Sequence, residues 1–306
     1  MSVSSIQAAW LPPDNRLHLS HGPIDLIIKA EGVSADRAYR KAIQAMQYLL
    51  ERLVVELPSL RQKTQSPDHY RHPVARRMAA ATSGYENRFI TPMAAVAGAV
   101  ADHVLAAMTA ESGLTKASVN NGGDIAFWLA DGYDATAIMA NLDTARCTIP
   151  HDSDCRGMAT SGYGGRSFSL GIADAVVVLA DHAANADAAA TMIANAVNLP
   201  ADLPSDHPDM QAVTRVPADA LLPESDLGDQ PIVTSVGMLS PAAIEWALDA
   251  GENEAKAIMA LKPVAGALIR VKDHIRVVGL DQYLNTGQIK HEAIQLEAMQ
   301  LMEKIT

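Results

Sequence analysis

The sequence predicts an α+β protein in which antiparallel strands form sheets and helices pack on those sheets. The first observation is that strand-like apolar runs stand next to one another in pairs, separated by short turn-forming segments. The second is the order of elements, which reads strands, helix, helix, strands and then the same again. This order suggests two pseudo-equivalent halves, although no strong sequence repeat accompanies it.

The first half begins with turn-forming residues, Pro12-Pro13-Asp14-Asn15, between two apolar runs, a pattern typical of a hairpin. Pro58 is expected to end the first helix, and Thr91-Pro92 predicts the start of another, with threonine as N-cap and proline at the first helical position. In order, the predicted elements are strands at 6–11, 16–20 and 24–29, a helix from Ser34 to about Leu57, an irregular polar segment at 61–90, and a helix from Thr91 to about Ala110.

The second half contains a proline- and aspartate-rich segment at 200–230 that reads as a surface excursion. In order, the predicted elements are strands at 117–119, 125–129 and 135–140, a loop at 152–165, a strand near Val176, a helix from about Asn185, a helix from Ser240 that frays near Gly251, and a hairpin of 264–271 and 274–278. Residues 1–280 are expected to form one domain of two halves. Residues 281–306 are expected to add an amphipathic helix at about 287–304, which could dock on the domain or on a second copy.

Composition and charge exclude several classes of protein. The chain has 306 residues, is 49% hydrophobic and carries a net charge of −11, so it can bury a sizeable core and is not expected to bind nucleic acid. No apolar run reaches the roughly 18 residues of a membrane span, and no export signal is recognised, so a cytoplasmic location without membrane contact is expected. Cys147 and Cys155 are too few for a zinc site, and a disulfide between them is possible but not expected.

Asp187 and Thr191 are the candidate metal ligands. They stand four residues apart in the predicted helix Ala186-Asp187-Ala188-Ala189-Ala190-Thr191, so their side chains share one face. A carboxylate and a hydroxyl at this spacing can bind a hard cation such as Mg²⁺ through oxygen. The alternative is that an alanine-rich helix carries an unrelated Asp and Thr.

Three further segments are candidates for ligand binding. Asn120-Asn121-Gly122-Gly123-Asp124 could bring backbone N–H groups to a phosphate, or could be a simple hairpin turn. Thr160-Ser161-Gly162 could cradle a diphosphate, or could be a flexible loop. Gly98 and Asp102 stand four residues apart in the Thr91 helix, where the glycine serves either close helix packing or ligand approach.

Together, these segments resemble the motifs of the ApbE-like flavin transferase superfamily, and the chain is most similar to an uncharacterised branch of it. The correspondence comprises Gly98 through Asp102, Asn121-Gly122-Gly123-Asp124-Ile125, Thr160-Ser161-Gly162, and Ala186-Asp187-Ala188 through Thr191. The resemblance implies a duplicated T-fold-like architecture and FAD bound in a cleft, with Mg²⁺ on its diphosphate. Asp187 and Thr191 would then bind the metal. The cofactor would be bound by Gly98, Asp102, Asn121, Gly122, Gly123, Asp124, Thr160, Ser161 and Gly162.

Mainstream members of the superfamily cleave FAD and attach FMN to a Thr or Ser hydroxyl of a target protein. This chain departs from their pattern, because Ala97 stands where they have a lysine, and 166–171 stands where they have a histidine-rich segment. We therefore expect a Mg²⁺-dependent enzyme, either FMN transferase-like or FAD pyrophosphatase-like, or a non-catalytic flavin or nucleotide binder. The expected partners are a flavin or dinucleotide and possibly an acceptor protein. A structural, self-associating protein is a third possibility, and no catalytic residue is assigned.

Overall fold

A nine-stranded antiparallel sheet organises the chain in the computed structural model, which describes residues 6–85, 88–138 and 146–284. The strands are β1 Gln7–Leu11, β2 Arg16–His21, β3 Ile24–Gly32, β4 Leu114–Asn121, β5 Asp124–Leu129, β6 Ala135–Ile138, β7 Arg146–Ile149, β8 Gly157–Ser161, β9 Ala175–Ala180, β10 Val213–Pro217, β11 Pro231–Val236, β12 Val264–Val271 and β13 His274–Val278. The order in the large sheet is β1-β2-β3-β4-β5-β8-β9-β12-β13, whereas β6–β7 and β10–β11 form separate pairs.

Helices cover one face of this sheet, which confirms the predicted α+β class. They are α1 Ala35–Met46, α2 Leu49–Leu60, α3 Pro73–Thr82, α4 Val96–Met108, α5 Ala183–Ala196, α6 Pro208–Gln211, α7 Ala218–Leu221 and α8 Pro241–Met259, with 3-10 turns at Pro67–His69 and Pro92–Ala95. The helix α4 packs on β4 and β5, α5 packs on β8 and β9, and α8 packs on β12 and β13. None of the helices within the described ranges is long and apolar enough to cross a membrane.

The strands alternate as a sheet with one helix-covered face requires. In β3, Ile24, Leu26 and Ile28 are buried, whereas Asp25 and Lys29 are not. The strand β9 is buried along its whole length because a second apolar cluster covers the opposite face there. That cluster includes Phe127, Leu129, Cys147, Ile149, Met158, Val177, Leu179, Leu268, Tyr283 and Leu284.

The two halves of the large sheet repeat the same order of elements. One half runs β2, β3, helices, β4, β5, and the other runs β8, β9, helices, β12, β13. They meet where β5 pairs with β8, through the pairs Ile125–Met158 and Ala126–Gly157. That the chain is one domain of two pseudo-equivalent halves, with a duplicated T-fold-like architecture, stays a prediction.

Several element boundaries differ from those predicted. Tyr48 adopts a left-handed conformation with φ of 60°, which divides the helix predicted from Ser34 to Leu57 into α1 and α2. Pro58 lies within α2 and does not end it. The segment predicted to be irregular at 61–90 contains α3, and the loop predicted at 152–165 contains β8. The helix α8 continues through Gly251 to Met259.

Two predicted elements extend beyond the described residues. The helix predicted at 287–304 and the tip of the strand predicted at 135–140 lie outside the described residues. Cys147 and Cys155 are both buried free thiols, so the possible disulfide between them is not formed. Burial, with a smaller effect of Cys155, raises the pKa of Cys147 to about 12.

Candidate functional site

The helices α4 and α5 lie unusually close together, and Gly98 makes this possible. A Cβ on Gly98 would lie 2.3 Å from the carbonyl oxygen of Ala183. The backbone N–H of Gly98 donates a hydrogen bond to Asp187 Oδ2 at 3.0 Å. The predicted metal ligand of α5 is thereby held against the first turn of α4.

Asp187 and Thr191 line one cleft of about 310 Å³, a volume at the lower end for small-molecule sites. Asp124, at the start of β5, lines the same cleft. The remaining polar lining includes Arg166, Ser167, Asn195, Ser225 and Asp226, and the apolar lining includes Phe89, Ile90, Met93, Ala97, Phe168, Leu222 and Leu227. The cleft therefore combines an apolar wall with a group of carboxylates.

The Gly122-Gly123 pair is the two-residue turn that joins β4 to β5. Both residues have positive φ, 69° and 118°, which favours glycine, and Asn121 pairs with Asp124 across the turn. The Gly123 N–H donates to Asn120 Oδ1 at 2.9 Å, so this amide is already used. The turn thus fixes the position of Asp124.

Two hydrogen bonds attach this hairpin to its neighbours. Asn121 Nδ2 donates to the carbonyl oxygen of Ala97 at 3.1 Å, which ties β4 to the start of α4. Asp124 Oδ1 accepts from the backbone N–H of Thr160 in β8 at 3.2 Å. The Gly122-Gly123 turn (the GG turn) and the Thr160-Ser161-Gly162 segment, recognised separately in the sequence, therefore meet beside the cleft.

Two of the carboxylates that line the cleft are costly to ionise. Burial raises the pKa of Asp124 to about 7, although the Thr160 N–H opposes this rise. Burial, followed by the charge of Asp124, raises the pKa of Asp187 well above the usual range, and the Gly98 N–H opposes it. A bound cation would offset the repulsion between these two groups.

Asp102, which the resemblance assigns to cofactor binding, is not among the residues that line this cleft. Asp102 is buried, and its two carboxylate oxygens accept from the backbone N–H groups of Ala183 and Ala184 at 3.1 and 3.0 Å. Arg77 lies 3.3 Å from Asp102 Oδ2. Asp102 therefore caps the start of α5 from outside that helix.

The other predicted residues support the cleft without lining it. Gly98 donates a hydrogen bond to Asp187, and Asn121 donates one to Ala97; both acceptor residues line the cleft. Gly122, Gly123 and Thr160 lie next to Asp124. Ser161 ends β8, and Gly162 follows it with its backbone close to Asp174. Their contacts with a ligand remain predictions.

Sequence reasoning missed one wall of the cleft. Leu222 and Leu227 come from the segment between α7 and β11, within the excursion predicted at 200–230. Asp226 in this segment accepts a short hydrogen bond from the Thr91 hydroxyl, which joins the segment to the start of α4. Asn195 was also missed, although its spacing of four residues from Thr191 is a signal in the sequence.

The donor set of the cleft suits a hard cation. Asp124, Asp187 and Thr191 offer carboxylate and hydroxyl oxygens, which Mg²⁺ prefers. Within the described part of the chain, no group of three or more His, Cys, Asp or Glu side chains could hold a metal ion. The set of Asp124, Asp187 and Thr191 fits the common mode of Mg²⁺ binding, in which one or two protein carboxylates bind the ion and oxygens of water and phosphate complete its coordination.

A second cavity, of about 430 Å³, lies on the opposite face of the sheet. It is lined by strand residues such as Phe127, Leu129 and Ile149, with Lys29 and Lys116 among the polar lining. None of the predicted site residues lines it. Of these two cavities, the cleft beside α4 and α5 is the one that predicted site residues line.

Comparison with known proteins decides the family. A family model described as "AbpE bacteria" matches residues 8–277. The chain belongs to the ApbE-like superfamily. The resemblance drawn from the four motifs is thereby confirmed at the level of the family.

The chain is also similar to archaeal proteins named UPF0280. The protein of Methanococcoides burtonii is 41% identical over 36% of this chain and 47% of its own length. That of Methanothrix thermoacetophila is 38% identical over 43% of this chain and 55% of its own length. The chain thus spans about half the length of these relatives, whereas it covers 77% of the Methanosphaerula palustris protein at 32% identity.

One solved structure is similar across most of both chains. It is the apo form of the flavinyl transferase ApbE of Pseudomonas stutzeri, with 12% identity and a TM-score of 0.42. The similarity covers 93% of this chain and 99% of that one.

Proposed function

We propose that this ApbE-like protein binds a flavin nucleotide together with Mg²⁺ in the cleft beside α4 and α5, and cleaves the diphosphate of FAD. The chief support is that Asp187 and Thr191, expected as metal ligands from their spacing and from the family resemblance, line one cleft with Asp124. Membership of the superfamily supports the flavin as the ligand class.

Asp187 and Thr191 would hold the metal ion, which when bound would neutralise negative charge on the diphosphate oxygens. Asp124, fixed by the GG turn and the Thr160 N–H, would orient the attacking hydroxyl or water. The apolar wall that includes Phe89, Phe168 and Leu222 would pack against the ring system and exclude water.

The reaction would be a phosphoryl-group transfer. An oxygen of a Thr or Ser side chain, or of water, attacks the phosphorus of the FMN half of FAD. A new P–O bond forms, the P–O bond to the AMP half breaks, AMP leaves, and the attacking oxygen loses its proton. With a protein hydroxyl the product is FMN linked to that protein, and with water it is free FMN.

A second candidate function is flavin or nucleotide binding without turnover. One observation favours it: Ala97, which lines the cleft, stands where the resemblance places a lysine, so the site lacks that amine. A site that retains the metal pair without this cation could bind its ligand and leave the diphosphate intact.

Incubation of the purified protein with FAD and Mg²⁺ tests both candidates. Chromatography of the products is expected to show AMP, with FMN either free or linked to an added Ser- and Thr-containing protein. Titration calorimetry on the same sample measures binding, with EDTA-treated protein as the control. Saturable binding without AMP release would favour the binder, and the absence of any flavin binding would show that the proposal is wrong.

A further inference from the structure

The charges that line the cleft are unbalanced for an anionic ligand. Asp124, Asp187 and Asp226 line it, and Arg166 is the one Lys or Arg among its described lining residues. A phosphate that approaches ionised aspartates is repelled unless cations oppose them.

The backbone amides that the motifs offered for phosphate binding are in part already used. The Gly123 N–H donates to Asn120 Oδ1, and the Thr160 N–H donates to Asp124 Oδ1. A cationic side chain beside the Gly122-Gly123 turn can supply the attraction for phosphate that these two amides do not.

Arg166 is placed to supply it. A Cβ on Gly122 would lie 3.1 Å from Arg166 Nη1, so the guanidinium lies close against the Gly122-Gly123 turn. The Arg166 side chain is 67% exposed, and Asp25 Oδ2 lies 3.9 Å from its Nη1, at the outer limit of an ion pair. Asp25 also contacts His18 through its other oxygen.

We propose that Arg166 binds a phosphate of the ligand and makes the cleft specific for phosphorylated flavins over riboflavin. This inference rests on the proposed function, because it concerns the same cleft. A guanidinium presents paired N–H donors that match phosphate oxygens, and it stays charged at every working pH. Arg166 stands in the segment 166–171, at the place of the histidine-rich segment of mainstream members.

The test compares three ligands at one fixed Mg²⁺ concentration: FAD, riboflavin and inorganic pyrophosphate. Dissociation constants are measured by calorimetry for the wild type, Arg166→Gln and the control Arg40→Gln, which alters an exposed arginine of α1. Arg166→Gln is expected to raise the dissociation constants of FAD and pyrophosphate roughly tenfold, or about 1.4 kcal/mol. The dissociation constant of riboflavin should not change. Arg40→Gln should change none of the three.

The outcomes separate this inference from the proposed function. If Arg166→Gln binds FAD and pyrophosphate as the wild type does, or weakens riboflavin equally, the role of Arg166 is wrong. If the wild type binds pyrophosphate in an Arg166-dependent way but binds neither flavin, the phosphate contact stands and the flavin assignment falls. Because Arg166 is exposed, circular dichroism should show both variants folded.

Discussion

Asp187 in α5 accepts a hydrogen bond from the backbone N–H of Gly98 in α4, with 3.0 Å between Oδ2 and N. In the opposite direction, Asp102 in α4 accepts from the N–H groups of Ala183 and Ala184 in α5. All three donors lie in first helical turns, where the N–H groups have no partner within their own helix. Each helix therefore completes the hydrogen bonding of the other, and the predicted metal ligand is part of this arrangement.

Asp187→Asn removes the charge but keeps an oxygen that can accept from Gly98. We expect Mg²⁺-dependent FAD affinity to fall at least roughly tenfold, because the amide is a poor metal ligand. Stability should not fall, since burial already disfavours the charged carboxylate. Calorimetry and urea unfolding measure the two effects, with Asp219→Asn, at an exposed position in α7, as the control. If Asp187→Asn binds FAD as tightly as the wild type does, both in Mg²⁺ and in EDTA, Asp187 is not a metal ligand.

Thr191→Val keeps the shape of the side chain and removes the hydroxyl. If Thr191 binds the metal, the Mg²⁺ concentration that gives half-maximal FAD binding should rise, while FAD binding at saturating Mg²⁺ should recover. A titration of Mg²⁺ at fixed FAD, monitored by flavin fluorescence, measures this shift. The exposed Thr234, in β11, provides the matched control Thr234→Val. A loss of FAD binding that saturating Mg²⁺ does not restore would argue against a metal ligand.

Gly98→Ala should push α4 and α5 apart, because its new Cβ would lie 2.3 Å from the Ala183 carbonyl oxygen. We expect the free energy of unfolding to fall by about 1–3 kcal/mol, as for other overpacked core positions. Gly164→Ala is the control, since its new Cβ would meet only the Asp174 carbonyl oxygen, at 3.9 Å. Urea unfolding of both variants makes the comparison, and equal stability of the two would contradict the close helix contact.

Asp102→Asn should alter how stability depends on pH. Burial raises the pKa of Asp102, although Arg77 and the two α5 amides lower it in part. The folded carboxyl holds its proton more tightly, so protonated Asp102 contributes to the free energy of unfolding. This contribution is fully present below the unfolded pKa of about 3.9 and is lost as pH rises through the folded pKa.

The wild type should therefore lose stability relative to Asp102→Asn as pH rises from the unfolded pKa of Asp102 through its folded pKa. The lost hydrogen bond to one of the α5 amides adds an offset that does not vary with pH. Urea unfolding at a series of pH values gives the two profiles, with the exposed Asp36→Asn as a control that stays parallel to the wild type. Parallel profiles for Asp102→Asn would show that burial does not shift this group.

Cys147 and Cys155 should be unreactive in the folded protein. Both are buried free thiols, and burial raises the pKa of Cys147 to about 12, so little thiolate is available. A colorimetric thiol reagent is expected to react with neither in buffer and with both of the two cysteines after unfolding in urea. Rapid reaction of either thiol in buffer would contradict the packing around β7.

Local signals explain what could be predicted from the sequence. The Thr91-Pro92 helix start is present: the Thr91 hydroxyl accepts from the Met93 N–H, and the 3-10 turn leads into α4. The spacing of Asp187 and Thr191 identified two residues of one cleft because a helix fixes the positions of residues four apart. The turn at Gly122-Gly123 likewise has the conformation that its residues favour.

Contacts between distant residues explain what could not be predicted. The bond from Thr91 to Asp226 joins residues 135 positions apart, and the bond from Ala183 to Asp102 joins residues 81 apart. No pattern along the chain marks either bond, so the outer wall of the cleft and the capping role of Asp102 were missed. The left-handed Tyr48 that separates α1 from α2 also lacks a glycine or asparagine to mark it.

The cleft draws on both halves of the sheet, which are joined where Ile125 and Ala126 of β5 pair with Met158 and Gly157 of β8. Asp124 comes from one half, and Asp187, Thr191 and the Leu222–Leu227 wall come from the other. A backbone cut in the segment between β5 and β8 would leave each fragment with an incomplete set of ligand-binding groups. We therefore expect that a gene split at this point yields active protein only when both products reassemble.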